Sequence, residues 1–285
     1  MWLRMKYPWV VSGAIASSLS VQKHLLRSSN VFSQIVTEAY ANVSATCPKL
    51  IRDGWTQLTE KAANAAGRRD IGESLGLCAP PATKSEALDL VGWLSDGIET
   101  MVQYGYPYPT SFYNPVPGYP FKVACERMLK VARTAGTHSD TVPLGALRAA
   151  ADVYYNYTGS AGHCYNQGTT ANRRGARSHR LGGQTTQEGA SVSSGFNGQA
   201  GWSYQVCTEV YQPMPTNGLY PAPGGDMSLP SMPNQSAIFE DCERQWGQGV
   251  VPRPGWEEHQ FGGPNIGRAS NIFMTAGQLD PWRAG

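Results

Sequence analysis

Asp280 stands at the end of an apolar run and just ahead of a proline, in the segment NIFMTAGQLDPW over residues 271–282. A carboxylate at a strand end is of a type that catalytic sites use. An Asp before Pro is also a common turn initiator, so the position alone names no reaction. The five histidines, His24, His138, His163, His179 and His259, have no partner at metal-ligand spacing on a predicted helix. There is no Gly-x-Ser-x-Gly nucleophile turn and no Gly-rich phosphate loop. The expectation is no metal and no cofactor.

The six cysteines, Cys47, Cys78, Cys125, Cys164, Cys207 and Cys242, are widely spaced and form no Cys-x-x-Cys pair. That spacing argues against structural zinc. It fits long-range disulfides, for which six cysteines allow 15 connectivities, or six buried thiols in a reducing compartment. Three sequons, at Asn42, Asn156 and Asn234, are candidate glycosylation sites.

These residues sit in a chain of 285 residues with 23 Lys+Arg against 21 Asp+Glu, a net charge of +2. The near-neutral balance excludes the broad basic face of a nucleic-acid binder. No apolar run approaches the ~18 residues of a membrane span. Hydrophobic residues make up 41%, enough for a sizeable core, while 32 Gly and 20 Pro predict many turns.

Residues 31–157 read as mainly helical. Val31, Ile35, Ala39 and Val43 share one helix face. Leu50, Ile51, Trp55, Leu58 and Ala62 share another, and that helix is expected to stop at Gly67. Thr83 and Glu86 form a capping box ahead of a helix carrying Leu94, Ile98 and Met101. Two more helices follow at 121–135 and 144–157. Five prolines make 104–120 an extended connector. Residues 166–200, with Arg173, Arg174, Arg177 and Arg180, read as a flexible surface loop. The alternation in WSYQVCTEV predicts a strand over 202–210, and NIFMTA predicts another. Residues 1–22 read as folded structure, with WVVSGAIA a buried strand, because Pro8, Ser12 and Gly13 interrupt the apolar stretch a leader would need. Strand, helical insertion and strands again make an α/β layout with a helical cap.

Six segments, in order along the chain, carry a resemblance: RMKYPWVVSGAIASS, YGYPYPTSFYNPVPGYPFKVAC, VYYNYTGS, GWSYQVCTE, DCERQWGQGVVPRPGW and ASNIFMTAGQLDPW. Together they resemble the lysosomal Pro-X carboxypeptidase and dipeptidyl peptidase II family of serine peptidases over residues 1–165 and 201–285. The resemblance implies a partial α/β-hydrolase core with an inserted helical cap. Residues 1–24 would be core, 25–160 cap, and 161–285 core again. Its triad runs Ser, Asp, His, and Asp280 takes the Asp role. The matching Ser falls ahead of Met1 and the matching His beyond Gly285, so the resemblance implies an internal fragment that is inactive by itself.

The same resemblance implies a peptide with a penultimate proline as substrate, a lysosomal or secreted location, and a homodimer as a candidate assembly. Trp282 is the expected wall of an apolar proline pocket. Trp202 and Ser203 are expected to touch substrate. Ser203 stands where the dipeptidyl peptidase branch carries an acidic residue for the substrate's α-ammonium, which favours the carboxypeptidase branch. The alternatives are an aminodipeptidase of the dipeptidyl peptidase II kind and a non-catalytic fragment. The implied disulfides pair Cys47 with Cys125, Cys78 with Cys164 and Cys207 with Cys242.

Overall fold

Amphipathic stripes at helical spacing close most of the molecule around one apolar core. A computed structural model describes residues 1–18, 29–135, 142–160, 162–167 and 199–284. Six helices build the centre: α2 (Val31–Ala41), α3 (Thr46–Lys61), α4 (Ala65–Leu75), α5 (Lys84–Gln103), α6 (Pro120–Ala135) and α7 (Val142–Tyr155). Phe32, Tyr40, Ile51, Leu58, Leu94, Met128 and Leu144 are fully buried among them. Gly54 lets α3 approach α7 closely, because a Cβ there would lie 2.6 Å from Leu147.

The helix expected to stop at Gly67 ends earlier, at Lys61. Asn64 then caps α4 by accepting the Gly67 N–H at 2.9 Å. Gly67 is therefore a first-turn residue rather than a terminator. A side chain there would collide with the Lys61 carbonyl, which explains the glycine. Thr83 accepts the Glu86 N–H at 3.2 Å, and the Glu86 carboxylate reaches back to the Ala82 N–H at 2.7 Å. This is a capping box shifted back by one residue on its return arm. The connector predicted over 104–120 holds no helix up to Tyr119, and α6 begins one residue early, at Pro120. The connector folds on itself, with Thr110 and Val116 exchanging backbone hydrogen bonds.

The remaining elements among the described residues are α1 (Trp2–Lys6), β1 (Ala14–Ser17), α8 (Gln199–Thr208), α9 (Gln235–Trp246), α10 (Trp256–Phe261) and β2 (Ile272–Thr275), with 3₁₀ turns at Gly263–Arg268 and Pro281–Ala284. The segment predicted as a strand over 202–210 is mostly helix α8. Val206 and Cys207 pack against Ile238 and Cys242 of α9, and the Thr208 hydroxyl bonds back to the Tyr204 carbonyl. Nine residues that alternate also satisfy a helical period, and the partner helix decides between them. The predicted loop 166–200 lies almost wholly outside the described residues, as do its four arginines.

β1 and β2 pair in parallel from Ala14 opposite Ile272 to Ser17 opposite Thr275. They are the two strands of the sheet among the described residues. The strand predicted to be buried is instead bare, with Ile15 81% and Phe273 66% exposed. Parallel pairs are normally covered on both faces; here these apolar side chains face solvent.

Three disulfides staple the chain: Cys47–Cys125 joins α3 to α6, Cys78–Cys164 joins the ends of two loops, and Cys207–Cys242 joins α8 to α9. Their Cα separations are 5.6, 4.9 and 5.5 Å, inside the normal range. No cysteine of the chain is left free. Among the described residues, no helix is long and apolar enough to cross a membrane.

Candidate functional site

β2 delivers the chain into the loop 276–280, and Asp280 heads the final 3₁₀ turn. Its N–H donates to the Gly277 carbonyl at 3.1 Å, and its own carbonyl accepts the Arg283 N–H. One carboxylate oxygen, Oδ1, accepts the Trp282 N–H at 3.0 Å. The other, Oδ2, makes no hydrogen bond to the described residues, and the side chain is half-buried. The backbone thus holds the carboxylate through one oxygen and leaves the second available to an imidazole N–H. That is the geometry an orienting Asp requires.

The strand that supplies Asp280 is held from the start of the chain. Arg4 on α1 is nearly buried and donates to the Ser270 carbonyl (3.2 Å), the Ser270 hydroxyl (3.1 Å), and the Pro8 and Val11 carbonyls. Asn271 donates to the Ser12 carbonyl at 3.0 Å. A buried guanidinium spread over four acceptors fixes the entry to β2. Nothing in the sequence around Arg4 signals this role, because its acceptors at Ser270 lie 266 residues away.

Trp282 turns inward beside Asp280. Its indole N–H donates to Gln103 at the end of α5, at 2.9 Å, and its ring meets Phe32 of α2 edge-on at 5.0 Å. Met214, Leu229 and Leu279 are partly buried against the same core. Gln103 and Phe32 were not anticipated, since nothing local in either segment points to Trp282. Arg283 leaves the turn on the outside, bonding the Gln278 carbonyl at 2.7 Å and facing Glu38 at 3.7 Å.

Trp202 and Ser203 come from a different element. They belong to α8, and Trp202 packs on the second apolar cluster, built by α8 and α9, rather than on the core that holds Trp282. Ser203 is 6% exposed. His163 and His259 are exposed, and neither bonds Asp280. His24, His138 and His179 lie outside the described residues. The sequon residues Asn42 and Asn234 are exposed, and Asn234 also caps α9 by accepting the Ala237 N–H. Asn156 is half-buried and reaches the Gly162 carbonyl at 3.5 Å.

The family model for serine carboxypeptidase S28 matches residues 1–285. The chain belongs to the serine carboxypeptidase S28 family. As a member of S28 it is 34% identical over 285 residues to the lysosomal Pro-X carboxypeptidase of Bos taurus, covering 100% of this chain and 50% of that protein. It is 30% identical over 298 residues to prolyl carboxy peptidase like protein 5 of Caenorhabditis elegans, covering 100% of this chain and 52% of that one. The mouse thymus-specific serine protease is 24% identical over 287 residues, with 99% and 50% covered. The chain spans about half the length of these S28 relatives.

One further ionisable group lies on α5. Glu99 lies one helical turn before Gln103 on α5. Its carboxyl is pushed up to about 8, chiefly by burial and then by the charges of Asp96 and Asp226. Burial also raises the neighbouring Tyr40 phenol, with Glu99 adding to it. Between about 4.5, the ordinary value, and about 8, the folded state holds a proton that the unfolded state gives up. Stability is therefore highest below that window and falls as pH rises through it. Glu99→Gln is expected to flatten this fall, raising Tm at pH 8 by roughly 5 °C while changing little at pH 4.5. Thermal melts at the two pH values check it; equal shifts at both would contradict the assignment.

Proposed function

We propose that the whole protein to which these residues belong is a serine exopeptidase that releases a C-terminal residue following proline. The observation that carries this reading is Asp280, tied to its own backbone through Oδ1 and open at Oδ2, beside the half-buried Trp282. In the reaction a Ser hydroxyl attacks the carbonyl of the prolyl residue while an imidazole takes its proton. Asp280 orients that imidazole and stabilises its protonated form. The leaving amine takes the proton, and water then releases the acyl group by the same steps in reverse. The Trp282 face suits the flat pyrrolidine ring of the penultimate proline.

The helices α2–α7 form the cap in this reading, and β1 and β2 belong to an α/β-hydrolase sheet. Its remaining strands cover the bare apolar side chains Ile15 and Phe273. The full disulfide pairing favours an oxidising, lysosomal or secreted setting; the bovine relative is named as lysosomal. Glycans at Asn42, Asn156 and Asn234 accord with the same setting.

Ser203 favours the carboxypeptidase specificity over an aminodipeptidase one, because a neutral hydroxyl cannot offset a buried ammonium. A panel of peptides assayed with the whole protein tests this. X-Pro-Y peptides with a free carboxylate are expected to lose Y. Ser203→Asp is expected to admit substrates with a free N-terminal ammonium, raising their kcat/KM about tenfold. Dominant release of N-terminal dipeptides by the unsubstituted protein would reverse the assignment, and no hydrolysis of either class would favour a non-catalytic role.

A further inference from the structure

Asp226 is completely buried, at 0% exposure, yet it lies far along the chain from every residue the mechanism uses. Its Oδ2 accepts the Asn30 side-chain N–H at 2.7 Å and the Asn217 backbone N–H at 2.8 Å. Its Oδ1 accepts the backbone N–H groups of Gly218, at 3.1 Å, and Ser228, at 3.0 Å. Four donors converge on one buried carboxylate, which is how such a charge is made tolerable away from water.

Three of those donors are local. Asn217 completes the local set, with its Oδ1 accepting from the N–H groups of Asp226 and Leu219 and its amide donating to the Gly224 carbonyl. The segment 217–228 thus holds its own shape. The fourth donor is different. Asn30 stands at the start of α2, 196 residues away. It does not cap its own helix with its side chain. Its amide is used instead on Asp226 and on the Gly224 carbonyl, at 3.1 Å, while its oxygen is held by Gln34 at 2.6 Å. About two turns on, the Thr37 hydroxyl accepts the Met227 N–H at 3.0 Å. The 217–228 segment is therefore strapped to α2 at two points about two helical turns apart. Two residues beyond Asn30, α2 carries Phe32, whose ring braces Trp282.

We propose that Asn30 and Asp226 are positioning residues for the proline pocket: their tether sets the first turn of α2, and through Phe32 the orientation of the Trp282 ring. The proposal rests on the reading of Trp282 as the wall of that pocket. A helix start without a side-chain cap frays readily. Loss of the tether would let Phe32 retreat and the indole tilt. Substrates that need a shaped pyrrolidine slot would feel this, whereas substrates with a small residue in its place would not.

The test uses the whole protein carrying Asn30→Ala, and separately Asp226→Asn, assayed on X-Pro-Phe and X-Ala-Phe. Asn30→Ala leaves the three local donors of Asp226 in place, so it remains informative even if Asp226→Asn fails to fold. The expected result for Asn30→Ala is a KM for X-Pro-Phe raised about tenfold with kcat within about twofold, the scale of one charge-assisted hydrogen bond. The kcat/KM for X-Ala-Phe should stay within about twofold, so the preference for proline falls about tenfold. Equal losses on both substrates would reduce the tether to a general stabiliser and overturn the proposal, as would no change on either. An unsubstituted protein that cleaves X-Ala-Phe as well as X-Pro-Phe would instead refute the Trp282 pocket, and the tether's role with it.

Discussion

Replacing Asp280 by Asn in the whole protein is expected to lower kcat by roughly 10⁴-fold and leave KM for an X-Pro-Y substrate within about threefold. The reasoning is geometric. Oδ1 of Asp280 already serves the Trp282 N–H, and an Asn carbonyl oxygen can take over that bond, so the loop should keep its shape. The new NH₂ then occupies the Oδ2 position, where it presents a donor to the imidazole N–H. The imidazole must flip its tautomer or lose its partner, and in either case it no longer accepts the serine proton. Because Asp280 contacts no substrate in this scheme, binding should be spared. A variant retaining more than a tenth of the unsubstituted kcat would remove Asp280 from the triad. A large rise in KM with kcat unchanged would mean that it binds substrate instead.

The second large effect is expected from the bridge between Cys47 and Cys125. Both residues are fully buried, and the bond joins α3 to α6 across 78 residues of sequence. Closing a loop of that length lowers the entropy of the unfolded chain enough to contribute about 4–5 kcal/mol. Changing both residues to Ala is therefore expected to lower Tm by roughly 10 °C or more. The Cys207–Cys242 bridge spans 35 residues, so its removal should cost less, about 4 kcal/mol by the same relation. Peptide mapping of the unreduced protein, followed by melts of each double variant, checks both statements. A fragment linking Cys47 to any other cysteine would overturn the connectivity, and an unchanged Tm after its loss would overturn the energetic argument.

These effects depend on different layers of information. Much of the helical region was legible from residues 31–155 taken alone. The stripes on α2, α3 and α5 recur at 3.6-residue spacing, and Thr83 with Glu86 marks a helix start, because both signals act within a turn or two of chain. Helix α4 was missed. Its start depends on Asn64 accepting the Gly67 N–H, and the glycine pointed the other way. Helix α9 is not predicted either; its start depends on Asn234 accepting the Ala237 N–H. The segment 202–210 has a pattern that fits either period, and only the facing helix and the Cys207–Cys242 bond select the helix.

The order of motifs along the chain was enough to point to the serine carboxypeptidase S28 family, and it is that resemblance, rather than any local pattern, that makes Asp280 the candidate. What surrounds Asp280 was not local. Gln103 reaches Trp282 across 179 residues, Asn30 reaches Asp226 across 196, and Arg4 reaches Ser270 across 266. Each of these side chains is polar and unremarkable within its own segment, and its role comes from a partner that folding alone brings near. Burial follows the same rule. WVVSGAIA is apolar and predicts a covered strand, yet Ile15 is exposed, because hydrophobicity fixes what a side chain prefers while the layers packed on each face decide whether it is covered.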